Sequence, residues 1–408
     1  MDFDDTPQEA AFRATVRAWL DANATRRTSA ERDVSVVAFR DEPSSIADAQ
    51  RWQRTLADAG WGAMHWPEAF GGRGASAIES MVFQEELAHY DVPVMVFSIG
   101  LAMIGPTIIA HGTEAQRARY LDPMRRGDEI WCQLWSEPDA GSDLAGLTAR
   151  AVRDGDEYVL DGQKVWTSGA HYSHFGLGIF RTNPDLPKHR GISCFVVDMR
   201  TPGITVRPLR QMTGAAHFNE VFFDGVRIPA ANLVGDLDDG WRVARTTLMN
   251  ERLAAGGMTP PSALYAALAR LARVHGCADG TVRQRLARAY TAARVVELTS
   301  ARVRTSLSHG EIPGVEGSIL KLAIASLATE IADAGVDVLG ADGMLVGPDA
   351  AEEGRWTDAL LGSFAMHIGG GTDEVQRNIV GEVVLGLPRE PAIDRDVPFR
   401  ALQAGQRS

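Results

Sequence analysis

Cysteine is scarce in this 408-residue chain. The three present, Cys132, Cys194 and Cys277, lie far apart, and no CxxC pair occurs. That pattern excludes a disulfide framework and a thiolate zinc site, and it fits a reducing compartment. An excess of positive charge is also missing. Lys and Arg total 41 against 53 Asp and Glu, a formal net charge of −12. The chain therefore lacks the basic surface that broad nucleic-acid binding needs, although an anionic small ligand needs only a few local donors. The opening stretch MDFDDTPQEA is acidic and has no apolar core. It does not read as a signal peptide, and a cytoplasmic location is expected. One uncharged run, Val92 to Ala110, is long enough to resemble a membrane span. Pro93, Gly100, Gly105 and Pro106 interrupt it and no basic residues flank it closely, so a helix buried within the protein is expected and no membrane span.

Familiar catalytic signatures are missing too. There is no GxxxxGK[ST] phosphate loop, no GxGxxG between a strand and a helix, no HExxH and no GxSxG. Phosphate-loop nucleotide chemistry, a Rossmann site, a zinc protease and a serine hydrolase elbow lose their anchors. His171 and His174 share an HxxH spacing, but no third ligand stands nearby, so ordinary histidines are expected and no metal. An enzyme built on this sequence would draw its chemistry from a bound cofactor.

What is present is ordinary for a globular protein: 45% hydrophobic and 23% charged residues. At roughly 150 residues per domain, two or three domains are expected. Residues 1–128 read as helical. Thr6-Pro7-Gln8-Glu9 offers a capping Thr, a Pro in the first turn and a Glu three residues on, and Phe12, Val16, Trp19 and Leu20 follow at helical spacing. Further helices are predicted over Ile46 to Ala59 and Glu79 to His89, separated by Gly71-Gly72-Arg73-Gly74. Residues 129–237 read as an antiparallel β domain. Strands are predicted at Phe175 to Phe180, Ile192 to Asp198, Ile204 to Leu209 and Glu220 to Phe223. Asp161-Gly162 is predicted to turn a hairpin between Tyr158-Val159-Leu160 and Val165-Trp166. Residues 238–408 read as a four-helix-bundle-like domain, with helices over Trp241 to Ala255, Pro261 to His275, Val282 to Leu307 and Ser318 to Leu339. The fold class is α+β, mainly α.

Three segments carry the chemistry. The first runs Gln133-Leu134-Trp135-Ser136-Glu137-Pro138-Asp139-Ala140-Gly141-Ser142-Asp143. The second is Asp161-Gly162-Gln163-Lys164-Val165-Trp166-Thr167-Ser168-Gly169. The third is Gly369-Gly370-Gly371-Thr372-Asp373-Glu374-Val375-Gln376-Arg377-Asn378-Ile379, leading to Val384-Leu385-Gly386-Leu387-Pro388-Arg389. Small residues at Ala140, Gly141 and Ser142 let a ligand approach the backbone and its N–H groups. Ser136 and Ser168 offer short hydroxyls, and Trp166 offers a flat face. Turn glycines and a core tryptophan are the plain alternative. In order along the chain, these segments resemble the TEPxAGSD, NGxKxWITN and GGTxEIQRxI stretches of the acyl-CoA dehydrogenase family. The stretches GWGAMHWPEAFGGRG and FNEVFFDGVRIP extend the resemblance over nearly the whole chain.

The resemblance implies FAD held between the β domain and the carboxy-terminal helices. It implies flavin contacts from Gln133, Leu134, Trp135, Ser136, Gly141, Ser142, Trp166, Thr167 and Ser168. Thr372 and Glu374 match positions that reach the flavin nucleotide, and Gly340 matches a glycine turn, here Gly340-Ala341-Asp342-Gly343. Ser142, Arg252 and Gly371 match positions near the CoA ligand. The implied reaction is α,β-dehydrogenation of an acyl-CoA, in which a carboxylate takes the α-proton and the β-hydrogen leaves as hydride. Many members carry that Glu directly before the Gly-Thr of the third segment, where this chain has Gly370. Relatives of the isovaleryl and long-chain type carry it on a carboxy-terminal helix beside an Arg. Asn250-Glu251-Arg252-Leu253 stands at the matching place, so Glu251 is expected as the base. The backbone N–H of Gly370 is expected to help polarise the thioester carbonyl; a helix carboxylate paired with an Arg is the plain alternative.

One departure stands out. The family's RxxFG stretch, which reaches a neighbouring subunit's flavin, is absent. Arg273 and Arg283 are candidates for its role, and solvated helix faces would explain them equally. An oligomer is expected, a dimer or tetramer of one chain or of two different chains, with electron-transferring flavoprotein as the electron acceptor. A carrier-protein thioester in place of CoA, an oxidase or a reductase, and a non-catalytic assembly subunit are the rival readings.

Overall fold

The computed structural model describes residues 4–27, 43–93, 95–254, 260–276, 279–309, 316–347, 349–389, 391 and 394–405. In chain order the α-helices are α1 (Pro7–Asn23), α2 (Pro43–Asp58), α3 (Ala77–Leu87), α4 (Gly105–His111), α5 (Glu114–Arg126), α6 (Gly240–Ala254), α7 (Pro261–His275), α8 (Gly280–Ser308), α9 (Glu316–Leu339), α10 (Arg355–Ser363), α11 (Asp373–Ile379) and α12 (Phe399–Gly405). The strands are β1 (Trp131–Leu134), β2 (Arg150–Asp154), β3 (Glu157–Ser168), β4 (Phe175–Arg181), β5 (Ile192–Asp198), β6 (Ile204–Leu209), β7 (Phe218–Pro229) and β8 (Leu233–Val234). Helices, then strands, then helices is the order the sequence predicts. The chain gathers into two units. One holds α1, α3 and α7 to α11; the other holds α2, α4 to α6, every strand and α12.

In the helical unit, α1 starts as the capping motif predicts. Glu9 N–H donates to Thr6 Oγ1 at 3.3 Å, and Thr6 N–H donates to Glu9 Oε2 at 3.2 Å. Val16 and Leu20 are buried, while Phe12 and Trp19 are partly covered. Arg13 braces the helix to α3, lying 2.6 Å from Glu85 and 3.2 Å from Glu86. The core of this unit is built from small and aliphatic residues of α7, α8 and α9, among them Leu268, Ala293 and Ile331, closed by fully buried Trp356 of α10. Gly335 lets α9 approach that indole, because a Cβ there would lie 2.0 Å from Trp356 Cε3.

In the sheet unit the strand order is β6-β7-β3-β2-β4-β5-β8, with β1 added beside β4. Most pairings are antiparallel, but β1 runs parallel to β4 and β2 meets β4 in parallel at Arg150 and Arg181. The sheet is therefore mixed, not purely antiparallel. The hairpin expected at Asp161-Gly162 does not form, because both residues lie inside one continuous strand, β3. The register against β7 shifts between Leu160 and Gly162. Gly162 takes φ +134° and leaves no room for a Cβ, which would sit 2.6 Å from Ala149 Cβ. The glycine marks a bulge and a close approach, not a turn. The actual hairpin joins β2 to β3 through Gly155 at φ +59°.

The uncharged run is not one helix. It breaks into a 3-10 turn (Met95–Phe97), a π-helical turn (Ile99–Ile104) and α4. Pro106 cannot donate to the preceding turn, and Gly105 packs where a Cβ would lie 1.9 Å from Trp66 Cζ2. Ile104, Ile108, Trp66 and Trp131 share the core beneath it. Among the described residues no helix is long and apolar enough to cross a membrane.

Candidate functional site

Two neighbouring segments of the sheet unit bring most of the predicted contacts together: β1 with the residues after it, and the end of β3. Val165 N–H donates to Ser136 O at 2.8 Å. Beneath this seam lies a pair that sequence motifs alone do not single out. Lys164, with its side chain fully buried, lies 2.9 Å from Glu137 Oε1 and donates to Trp135 O at 3.0 Å. Glu137 Oε2 accepts the Thr148 N–H at 2.6 Å and its hydroxyl at 2.9 Å, and Oε1 accepts the Ala149 N–H at 3.0 Å. Burial pushes the Glu137 carboxyl up. The Lys164 charge and hydrogen bond, with the two amides, outweigh it and leave the group below the usual carboxylate value. Burial holds the Lys164 ammonium below its usual value, against the pull of Glu137.

One residue beyond Val165, Trp166 takes φ +60°. The pairing with β7 skips from Lys164 to Thr167, so Trp166 is the extra residue of a bulge. The residue is 60% exposed, and the Phe218 ring meets its ring edge-on with centroids 6.0 Å apart. A left-handed conformation in a bulky residue is strained and persists only where its surroundings enforce it. Thr167 is 1% exposed, and its Oγ1 has no hydrogen-bond partner. The Trp135 Nε1 proton is likewise buried without a partner. Leu134 is wholly buried in the sheet core, so its role in the strand is packing. An exposed flat ring, an unsatisfied hydroxyl beside it and the nearby Ser136 and Ser168 fit the flavin implied by the sequence.

The turn after β1 is pinned by reciprocal backbone bonds between Glu137 and Ala140, each 3.1 Å. It delivers Gly141 and Ser142 to the surface, where a Cβ on Gly141 would meet nothing within 4 Å. Below the seam a cavity of about 160 Å³ opens. Met95, Val96, Ile99, Met103 and Trp131 supply its apolar walls. Ser98, Gln133, Ser168 and Tyr172 supply its polar points. Gln133 and Ser168 thus join the cavity to the platform.

Helix α6 belongs to the same unit. Thr247 Oγ1 lies 2.9 Å from Thr107 Oγ1, and Thr246 Oγ1 lies 2.8 Å from His111 Nε2. Glu251 and Arg252 occupy its last turn; their side chains lie outside the described residues. His171 is exposed, and His174 Nδ1 accepts the Ile130 N–H at 3.1 Å. Among the described residues no cluster of His, Cys, Asp and Glu could hold a metal.

In the helical unit the third segment forms a loop that caps α11. Thr372 Oγ1 accepts the Val375 N–H at 3.3 Å. Gly370 and Gly371 take φ +68° and +91°, and Gln376 Nε2 donates to Gly370 O at 2.7 Å. The position where many relatives carry the base is therefore a left-handed one that favours glycine. Asp373, which the sequence motifs also do not single out, anchors the loop. His367 Nδ1 lies 2.7 Å from its Oδ2, and Lys321 Nζ lies 3.4 Å from its Oδ1. Burial pushes the Asp373 carboxyl up, and His367 and Lys321 bring it below its usual value. Glu374 is exposed, within 3.4 Å of Arg377. Gly340, at φ +60°, opens the turn Gly340–Met344 on the surface. Arg273 in the last turn of α7 and Arg283 at the start of α8 are both exposed.

Comparison with known proteins agrees with this reading. Residues 6–128 match the model of the acyl-CoA dehydrogenase amino-terminal domain, 132–226 that of the middle domain and 238–385 that of the carboxy-terminal domain. The chain is 40% identical over 386 residues to acyl-CoA dehydrogenase IpdE1 of Mycobacterium tuberculosis, covering 93% of this chain and 98% of that one. It is 41% identical over 350 residues to FadE34 of the same organism, covering 85% of this chain and 47% of that one. Among solved structures, the ChsE4-ChsE5 complex from Mycobacterium tuberculosis matches with a TM-score of 0.78 at 30% identity, covering 96% of this chain and 100% of that one. The Tcur3481-Tcur3483 steroid ACAD matches with a TM-score of 0.80 at 29% identity, with the same coverage. On three family models and relatives aligned over most of its length, the chain belongs to the acyl-CoA dehydrogenase family of FAD-dependent oxidoreductases.

Proposed function

We propose that this chain dehydrogenates an acyl-CoA thioester to the trans-2-enoyl-CoA, with Glu251 as the base. The observation that carries the reading is the platform of the sheet unit. Exposed Trp166, unpartnered Thr167 Oγ1 and Ser168 stand at one strand end, and Gln133 and Ser168 continue into an apolar cavity. When bound there, FAD supplies the hydride acceptor. Trp166 gives the ring a face, Ser168 donates to its polar edge, and Leu134, Trp135 and buried Thr167 hold the strands beneath. Gln133 and Ser136 orient it. Gly141 and Ser142 offer backbone and hydroxyl donors to phosphate groups; the family resemblance gives Thr372, Glu374 and Gly340 a nucleotide-contacting role of their own.

Glu251 takes the α-proton. Helix α6 is braced by Thr246 and Thr247, which gives that carboxylate a fixed origin. The left-handed backbone at Gly370 supports this choice, since a side chain there is strained. Ser142 and Arg252 serve the CoA portion. The cavity is close in size to one that admits a benzene-sized ligand, about 150 Å³. It encloses the reacting end of the acyl group and leaves the rest outside. Relatives whose names specify a steroid enzyme or a two-protein complex favour a lipid-derived acyl group and a homo- or heteromeric assembly, in which exposed Arg273 and Arg283 would face a partner. Electron-transferring flavoprotein is the proposed acceptor.

The test is anaerobic flavin bleaching by a panel of acyl-CoA thioesters. Glu251→Gln should retain FAD and bleach roughly 10²- to 10⁴-fold more slowly, the range associated with a lost general base. Undiminished bleaching would overturn the assignment.

A further inference from the structure

We infer that the buried Glu137–Lys164 pair is a positioning device: it fixes Trp135 and Ser136 against the bulge at Trp166 and so sets the plane on which the flavin is received. Neither side chain can reach a ligand, since Lys164 is wholly buried and Glu137 has 5% of its side chain exposed. Their influence passes through what they hold. Lys164 grips the Trp135 carbonyl, two residues before the Glu137 that it also binds. Glu137 gathers the amides of Thr148 and Ala149 at the entry to β2. Val165, next to Lys164, is tied to Ser136. Three stretches of chain thus meet at one ion pair, immediately before the strained residue.

Strain at Trp166 needs restraint from both sides. On the far side, the Thr167 carbonyl accepts Asn219 Nδ2 at 2.9 Å and Gly169 N–H donates to His217 O at 2.9 Å. On the near side, the restraint is Lys164 and the Val165–Ser136 bond. A buried ion pair adds little net stability over apolar groups of the same shape. It differs from them in direction, because an apolar pair fills the space but places no carbonyl. The inference rests on FAD binding at this platform.

The experiment uses the full-length protein, freed of FAD and reloaded. Glu137→Gln/Lys164→Met removes both charges, so no buried ion is left alone. The double-variant apoprotein should melt close to wild type. Its FAD affinity should fall roughly tenfold to a hundredfold, as when groups that orient metal ligands are removed. The absorption band of its bound flavin should lose vibrational structure. Wild-type affinity with a wild-type spectrum in a stable double variant would overturn the inference. Should the double variant not fold, amide hydrogen exchange on the wild type decides. FAD should raise protection at Thr148, Ala149 and Val165 together, and unchanged protection on binding would overturn the inference. A wild type that takes up no FAD would count against the flavin reading itself, which keeps the two failures apart.

Discussion

The sheet unit and the helical unit hold their motif residues by opposite means. In the sheet unit Glu137, Lys164 and Thr167 are 6%, 0% and 1% exposed, and the first two are joined in an ion pair locked in the core. In the helical unit the Gly369 to Glu374 loop lies at or near the surface. Its shape comes from left-handed glycines and from Asp373, which leans on His367 and Lys321. Buried charge gives direction at a high cost of failure. A partly solvated network is cheaper to perturb and responds to pH. Substitution should therefore separate the two regions by size of effect.

The largest effect should come from Lys164→Met alone, which strands the Glu137 carboxylate in the core. Losing one partner of a buried pair destabilises by about 3–5 kcal/mol, a loss that thermal unfolding of the holoenzyme would show. A melting point equal to that of wild type would erase the contrast between the units.

Glycine contacts should give a smaller effect and show the units behaving alike. Gly105→Ala would press on Trp66 in one unit, and Gly335→Ala on Trp356 in the other. Overpacking of this kind costs about 1–3 kcal/mol. Comparable shifts in urea midpoint would confine the contrast to electrostatics, and a large asymmetry would show that one core yields more readily.

The smallest effect concerns acid. The Arg13 guanidinium beside Asp5, with Arg304, holds that carboxyl at about 2, against burial. A depressed carboxylate stabilises the fold above its unfolded value, near pH 4, and that stabilisation is lost as pH falls toward the folded value. Arg304→Gln removes one of the two clamps. Its acid-unfolding midpoint should move to higher pH, with no change at neutral pH beyond the lost contact. Circular dichroism against pH would show it.

Much of the fold was legible where local chemistry marks both ends of an element. Helix α7 runs from Pro261 to His275 as predicted, because Pro starts it and Gly276 at φ +73° stops it. Strands β5 and β6 also keep their predicted bounds. Asp161-Gly162 misled because a turn signal is local, whereas the bulge it marks depends on Ala149, brought in by a neighbouring strand. The segments that form the proposed platform were marked by their motifs, but the pair that supports them was not. Glu137 and Lys164 stand 27 residues apart, and nothing in their spacing announces a contact. A charged Lys164 standing next to Val165 and two residues before Trp166 was the available signal. Asp373 was hidden for a related reason, since its partners His367 and Lys321 come from separate elements.

Trp166 has an optical consequence. Of the tryptophans among the described residues, it alone has most of its ring open to solvent; Trp66, Trp131 and Trp356 are almost wholly covered. A collisional quencher such as iodide should reach this indole in the apoprotein and spare the buried ones. Cofactor arriving on its face would shield it. If the proposed platform receives the flavin, the residue that bears the backbone strain would also be a native gauge of occupancy, readable without any attached dye.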